Sequence, residues 1–270
     1  MPPERTSRAN KMKRNLLTII FLLLLCSLLG CGRQERPAEP KTAEIKIAAA
    51  ASLEKILTQK LIPIYQQSHP DIKISGTYAS SGKLQTQIEH GLRADIFISA
   101  AAKQMNSLED KGLIATSQNL LKNELVLIVP AESGNPDIKT FYDFPKASHP
   151  AIGDPKSVPA GQYAKEALTA LHLWNKVEKE VSLGTNVVEV LNWVAEGSAD
   201  AGLVYATDAA GNPKVKIVAV APADSLKKPV IYPVGILKHT ADKKAAADFI
   251  DFLCSQQAQA VFREYGFQKP

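Results

Sequence analysis

From residue 44 onward the chain alternates short apolar runs with amphipathic ones, and this alternation limits the folds open to it. Glu44-Ile45-Lys46-Ile47-Ala48 alternates polar and apolar with the period of a strand. It runs into Ala49-Ala50-Ala51-Ser52, where Ser52 is a natural N-cap for a helix that Pro63 should kink or restart. A second strand over 72–78 meets Ala79-Ser80-Ser81-Gly82 and a helix over 83–90, with Gly91 closing it. A third strand, 96–98, follows Ala94-Asp95, and Gly112 ends the helix after it. Repeated strand–helix units imply an α/β fold, a largely parallel sheet with helices on both faces.

After the apolar strand Leu125 to Val129, residues 131–160 are richer in Pro, Gly and Asp, with a short strand at 151–153. A helix is expected over 162–172. Val187, Val190, Leu191 and Val194 then recur at i, i+3, i+4 and i+7, one face of a helix that Asn186 or Thr185 would cap. Residues 201–205, 216–221 and 230–237 read as strands, the last leading into a helix with Ala246, Phe249, Ile250 and Leu253 on its apolar side. Two lobes joined near 125–130 and 230–237 would leave a cleft between them, with lobe I at 44–125 and 232–270 and lobe II at 126–231. In open α/β sheets ligands sit beyond the carboxyl ends of strands, where helix N-termini meet. The junctions Ala51-Ser52, Ser80-Ser81 and Thr185-Asn186-Val187 offer unpaired N–H groups and a positive dipole end, which suits an anion. A lone Ser at such a place is ordinarily only a cap.

The formal net charge of +5 invites a search for an anionic partner, but the charge is unevenly placed. Residues 1–30 carry five basic residues and one acidic one, followed by an uncharged run from Leu16 to Gly30, the pattern of an export signal. A short membrane anchor is the alternative, although about 20 apolar residues are needed to span a bilayer. Without residues 1–30, the 32 basic and 27 acidic residues fall to 27 and 26, a net charge of +1. Leu28-Leu29-Gly30-Cys31 resembles the lipobox of bacterial lipoproteins, in which the Cys is acylated after cleavage before it. That resemblance implies a membrane anchor at Cys31, with 31–43 as a polar tether. Cys26 would leave with the signal, and Cys254 has no disulfide partner and is expected as a small core residue.

Enzyme signatures are missing. Gly76 to Lys83 has the wrong spacing for a phosphate loop, and Leu84 stands where a Ser or Thr is needed. The sequence has no Gly-x-Ser-x-Gly elbow and no Gly-x-Gly-x-x-Gly, and its five His residues form no metal-spaced pair. Glu178 and Glu180 lie in a Lys-rich stretch and read as a solvated face, and the Lys pairs at 227–228 and 243–244 are too small for a nucleic-acid stripe.

Eight motifs in order carry a resemblance across residues 44–270. They are Ala-Ala-Ala-Ser-Leu at 49–53, Tyr-Ala-Ser-Ser-Gly at 78–82, Ala-Asp-Ile-Phe-Ile-Ser-Ala at 94–100 and Gly-Asp-Pro at 153–155. Val-Pro-Ala-Gly-Gln-Tyr-Ala-Lys-Glu-Ala-Leu at 158–168, Gly-Leu-Val-Tyr-Ala-Thr-Asp-Ala at 202–209, Tyr-Pro-Val at 232–234 and Tyr-Gly-Phe at 265–267 complete the set. Together they resemble the molybdate-binding proteins of bacterial molybdate ABC transporters. The resemblance implies a two-lobed type 2 periplasmic-binding-protein fold, with the ligand cleft between the lobes. It implies an exported, monomeric receptor for molybdate or tungstate that docks on a membrane permease, with no cofactor, no catalysis and no nucleic-acid partner. It also implies that Ser52 and Ser81 hold the oxyanion through hydroxyl and N–H, with the backbone N–H of Ala160 and Val187 and the hydroxyl of Tyr205. Gly82 stands where some members of that family carry a third Ser. Molybdate is a tetrahedral dianion that presents only acceptors, so neutral donors suffice to hold it. A receptor for another oxyanion, chiefly sulfate, an enzyme on a related fold and a ligand-sensing domain are the competing readings.

Overall fold

The computed structural model describes residues 43–132 and 134–270. The export signal, most of the tether and Cys31 lie outside the described residues. In chain order the strands are β1 (Ala43–Ala50), β2 (Ile72–Ala79), β3 (Ile96–Ile98), β4 (Ile114–Asn123) and β5 (Leu125–Pro130). They continue as β6 (Pro150–Gly153), β7 (Ser182–Gly184), β8 (Ala201–Tyr205), β9 (Val215–Val220) and β10 (Val230–Leu237).

These strands form two five-stranded sheets of matching design, ordered β2-β1-β3-β10-β4 and β7-β6-β8-β5-β9. In each sheet the first two pairings are parallel and the last two antiparallel. Four strands therefore point one way, and only β10 in the first sheet and β5 in the second run against them. The expectation of largely parallel sheets holds for strand direction, but half of the pairings are antiparallel. The cause lies in the crossings. The chain leaves the first sheet at Glu124 and returns over 221–229, and the reversed strands are the two that follow those crossings.

Both sheets are buried on two faces. Ile45, Ile47 and Ala49 of β1 join one apolar cluster, while Ala48 joins another with Leu84, Ile88, Met105 and Leu108 from two flanking helices. In β5, Leu125, Leu127 and Val129 pack on the helix Pro159–Ala170 side, and Val126 and Ile128 pack toward Val190 and Val194. The period of two across a doubly covered sheet produces these near-continuous apolar runs.

Helices begin and end for local reasons. The segment 51–68 opens with a 3₁₀ turn, passes through a π-helical turn at Leu57–Leu61 and resumes as α-helix Ile62–Ser68. The π turn accommodates Pro63, which has no N–H for the preceding carbonyl ladder. Gly91 and Gly112 follow their helices at φ 95° and 66°, a left-handed backbone that glycine adopts without Cβ strain. Cys254 is exposed and accepts a hydrogen bond from Gln118 Nε2 at 3.2 Å, so it is not the core residue expected. It ends its helix one residue after the buried Leu253 and falls on the solvent side. No helix among the described residues is long and apolar enough to cross a membrane.

Candidate functional site

Strand ends and helix starts from both sheets converge on one small cavity. From the first sheet come the turn after β1, the turn after β2 and Ala100 beyond β3; from the second come 158–160, Val187 and the end of β8. Ser52, Ser81, Ala160, Val187 and Tyr205, the five residues singled out from the sequence, all line it. They stand at five separate places in the chain, and the topology brings them together.

Each is held differently. Ser52 is not a cap: Ala50 takes the N-cap place, and Ser52 Oγ lies 3.0 Å from the buried hydroxyl of Tyr232. Ser81 is wholly buried, and its Oγ accepts the N–H of Ala100 at 2.9 Å. With a lone pair so occupied, the Ser81 proton is left to donate. Ala160 sits in the first turn of the helix Pro159–Ala170, where N–H groups have no intrahelical acceptor. That turn lies hard against β6, since a Cβ on Gly161 would meet Gly153 O at 1.8 Å. Val187 opens its helix after Asn186, whose side chain caps it by accepting from Glu189 N at 3.0 Å. Thr185 adds a clamp, donating from N and Oγ1 to the Glu189 carboxylate at 2.6 and 2.8 Å. Tyr205 Oη donates to Ala100 O at 3.2 Å, so turning toward a ligand requires only rotation about its C–O bond. Burial holds the Tyr205 and Tyr232 phenols well above 10, so both remain protonated donors.

In the sequence Ser80 stands only as half of the Ser80-Ser81 junction and not among the five site residues. It is 5% exposed, lines the cavity, and its Oγ has no partner among the described residues. A buried hydroxyl without a partner is costly, which marks it as a further donor toward whatever fills the space. The Ser-Ser doublet was its one signal in the sequence.

The cavity lining holds no Lys, Arg, His, Asp or Glu. Asp154 and Asp208, two acidic residues nearby in sequence, are turned to backbone: Asp154 Oδ1 accepts Lys156 N at 2.9 Å and Asp208 Oδ2 accepts Tyr205 N at 3.2 Å. Among the described residues no cluster of side chains could hold a metal ion. Two further bonds cross between the halves beside the cavity, Gly82 N to Ser157 O at 3.0 Å and Gln104 Nε2 to Gln162 Oε1 at 3.2 Å.

Two sheets of the same design, meeting around a small uncharged cavity of hydroxyls and helix starts, define a two-lobed solute-binding protein. The chain belongs to the bacterial extracellular solute-binding protein family, whose profile matches residues 45–268. It is 41% identical over 254 residues to a Bacillus subtilis protein provisionally named an ABC transporter substrate-binding lipoprotein, covering 92% of this chain and 96% of that one. It is 42% identical over 232 residues to the molybdate-binding protein ModA of Haemophilus influenzae, covering 84% of this chain and 90% of the relative. The solved periplasmic molybdate-binding protein of Azotobacter vinelandii shares the fold, with a TM-score of 0.72 at 24% identity, over 84% of this chain and 99% of that one. Such a protein binds a solute for transport and catalyses no reaction on it.

Proposed function

We propose that the chain is the extracytoplasmic substrate-binding component of an ABC importer, capturing molybdate or its near-isostere tungstate for delivery to a membrane permease. One observation carries this reading: the cavity offers donors from two lobes and no charged side chain. Ser52, Ser81 and Tyr205 would contribute hydroxyls, Ala160 and Val187 backbone N–H groups, and the five together would surround a tetrahedral dianion. Hydrogen bonds to a charged acceptor contribute about 1.5–3 kcal/mol each, so several aimed neutral donors hold a dianion without a buried ion pair. Hydrogen phosphate carries a proton that needs an acceptor, and no carboxylate or imidazole lines the cavity to take it. The name of the Haemophilus protein supports the choice of anion. The anion is cargo, and the reading calls for no cofactor.

Calorimetry with molybdate, tungstate, sulfate and phosphate in turn tests the proposal. Tight binding of the first two is expected, with Ser81→Ala weakening it about 10- to 100-fold, the loss of one charge-assisted hydrogen bond. Sulfate binding as tight as molybdate, or an unaffected Ser81→Ala variant, overturns the assignment. The proposal extends to a lipid anchor at Cys31, supported by the lipobox resemblance and by the name of the Bacillus relative. Membrane fractionation should find Cys31→Ser released from membranes; retention of that variant means that the apolar run itself is the anchor.

A further inference from the structure

Behind Ser52 lies a chain of buried polar groups that the sequence reading did not assign. Asn123 ends β4, Tyr232 lies in β10, and Thr207 follows β8 in the other lobe; their exposures are 3%, 0% and 9%. Asn123 Oδ1 accepts the N–H of Glu124 at 2.9 Å, which fixes the amide orientation. Its Nδ2 therefore carries the donors, one to Thr207 Oγ1 at 2.8 Å and one to Tyr232 Oη at 3.3 Å. An amide nitrogen cannot accept, and the neighbouring Tyr205 phenol is directed to Ala100 O, so the acceptor within hydrogen-bond distance of the Tyr232 phenolic proton is Ser52 Oγ at 3.0 Å. The reverse sense, Ser52 donating to Tyr232, would strand a phenolic proton in a fully buried place. The polarity of the chain is thus set at Asn123 and passes outward: amide to phenol, phenol to serine. Ser52 receives a proton on its lone pair and has its own left for the cavity.

We infer that Asn123 and Tyr232 are positioning residues that fix the Ser52 hydroxyl as a donor into the cavity, and so favour fully deprotonated oxyanions over protonated ones. The inference rests on the oxyanion reading above and deepens it. A hydroxyl free to turn can serve either sense and would accept the proton of hydrogen phosphate. One that accepts from Tyr232 keeps a second lone pair, but using it for the phosphate proton would turn the Ser52 proton away from the ligand and leave it without a partner. The discrimination is then one of proton count: hydrogen phosphate in mild alkali is also a dianion and differs from molybdate by one O–H. The chain also joins the lobes, since Asn123 bonds Thr207 across the crossing at Glu124, so the donor sense is set where the lobes meet.

A double-mutant cycle on the purified full chain at about pH 8.5, well above the ordinary carboxylate range, tests this. Tyr232→Phe frees the Ser52 lone pair without reversing it. Molybdate binding should weaken about 3- to 10-fold, and the ratio of molybdate to hydrogen phosphate affinity should narrow. Asn123→Asp reverses the sense: an ionised Asp accepts from Tyr232, whose oxygen then takes the Ser52 proton, and the cavity meets a lone pair. Molybdate binding should fall at least 30-fold. In the double variant the added carboxylate remains but its message is cut, so molybdate should bind more tightly than to Asn123→Asp alone, near the level of Tyr232→Phe. A double variant as weak as Asn123→Asp or weaker means that charge or packing, not the relay, caused the loss, and overturns the inference. If Asn123→Asp does not fold by thermal melting, Tyr232→Phe decides alone, since a parallel loss for both anions is the structural outcome and also overturns it. Wild-type chain that binds neither molybdate nor tungstate overturns the oxyanion reading itself, a different result from a bound wild type with no rescue.

Discussion

Burial raises the Asp208 carboxyl to about 7, and its one opposing influence is the hydrogen bond it accepts from Tyr205 N. An unfolded Asp titrates near 3.9, so between about pH 4 and 7 the native protein holds a proton that the unfolded chain has lost. Stability therefore falls as pH rises through that window, and the full penalty is present above it. Asp208→Asn keeps an acceptor for Tyr205 N and removes the charge. It should match wild type near pH 4 and exceed it above pH 7 by on the order of 1–2 kcal/mol, less than for a fully enclosed acid because the carboxyl keeps some exposure. Denaturant melts across pH check this, and a difference that does not change with pH sinks it. Single residues were otherwise legible only in part. Ser52 reads as a helix cap in the sequence, yet its bond goes to Tyr232, 180 residues away, and no local pattern reports such a partner. Cys254 failed for a related reason, because an apolar helix says which residue types are present and not where the solvent side falls at its last turn.

At the scale of elements, the errors gather at the site. Two helices were expected to begin at 83 and 162 and begin at Ser81 and Pro159. Their first turns are Ser81-Gly82 and Pro159-Ala160-Gly161, small or turn-forming residues that read as loop by propensity. Those residues let backbone approach backbone, and Ser81, Pro159 and Ala160 of these turns line the cavity. β4 was missed because it is an edge strand whose residues 115–119 are all exposed, with no apolar alternation to read. β7, three residues long, was missed as well. The strands with two buried faces and the helix bearing Val187, Val190, Leu191 and Val194 were legible because burial writes their period into the sequence. Strand direction was not, since β5 and β10 look like any other apolar run.

For the whole molecule, the basic balance of +5 belongs mostly to residues 1–30, and the rest of the chain stands at +1. Anion capture then depends less on net charge than on bringing two half-sites together, and at Gly82 the halves meet backbone to backbone beside the cavity. Its N–H bonds Ser157 O at 3.0 Å, and a Cβ built there would lie 2.4 Å from that oxygen and 2.8 Å from Ser157 Cα. Backbone cannot yield as a flexible side chain can, so an added methyl must hold the lobes apart at this edge. Ser81 is the next residue, and Ala160 lies three beyond Ser157, so the gap opens between donors on opposite sides of the cavity. Gly82→Ala should weaken molybdate binding about 10-fold or more, the scale of one bond lost from the shell. The same change should leave thermal stability without ligand level or slightly raised. Residue 82 lies in the first helical turn, where Ala is favoured over Gly by up to about 1 kcal/mol. Affinity that falls while the melting temperature holds is the signature of a closure defect. If affinity is unchanged, the lobes do not need this contact to enclose the ligand. If both fall together, the methyl has damaged the fold, and closure is not what Gly82 protects.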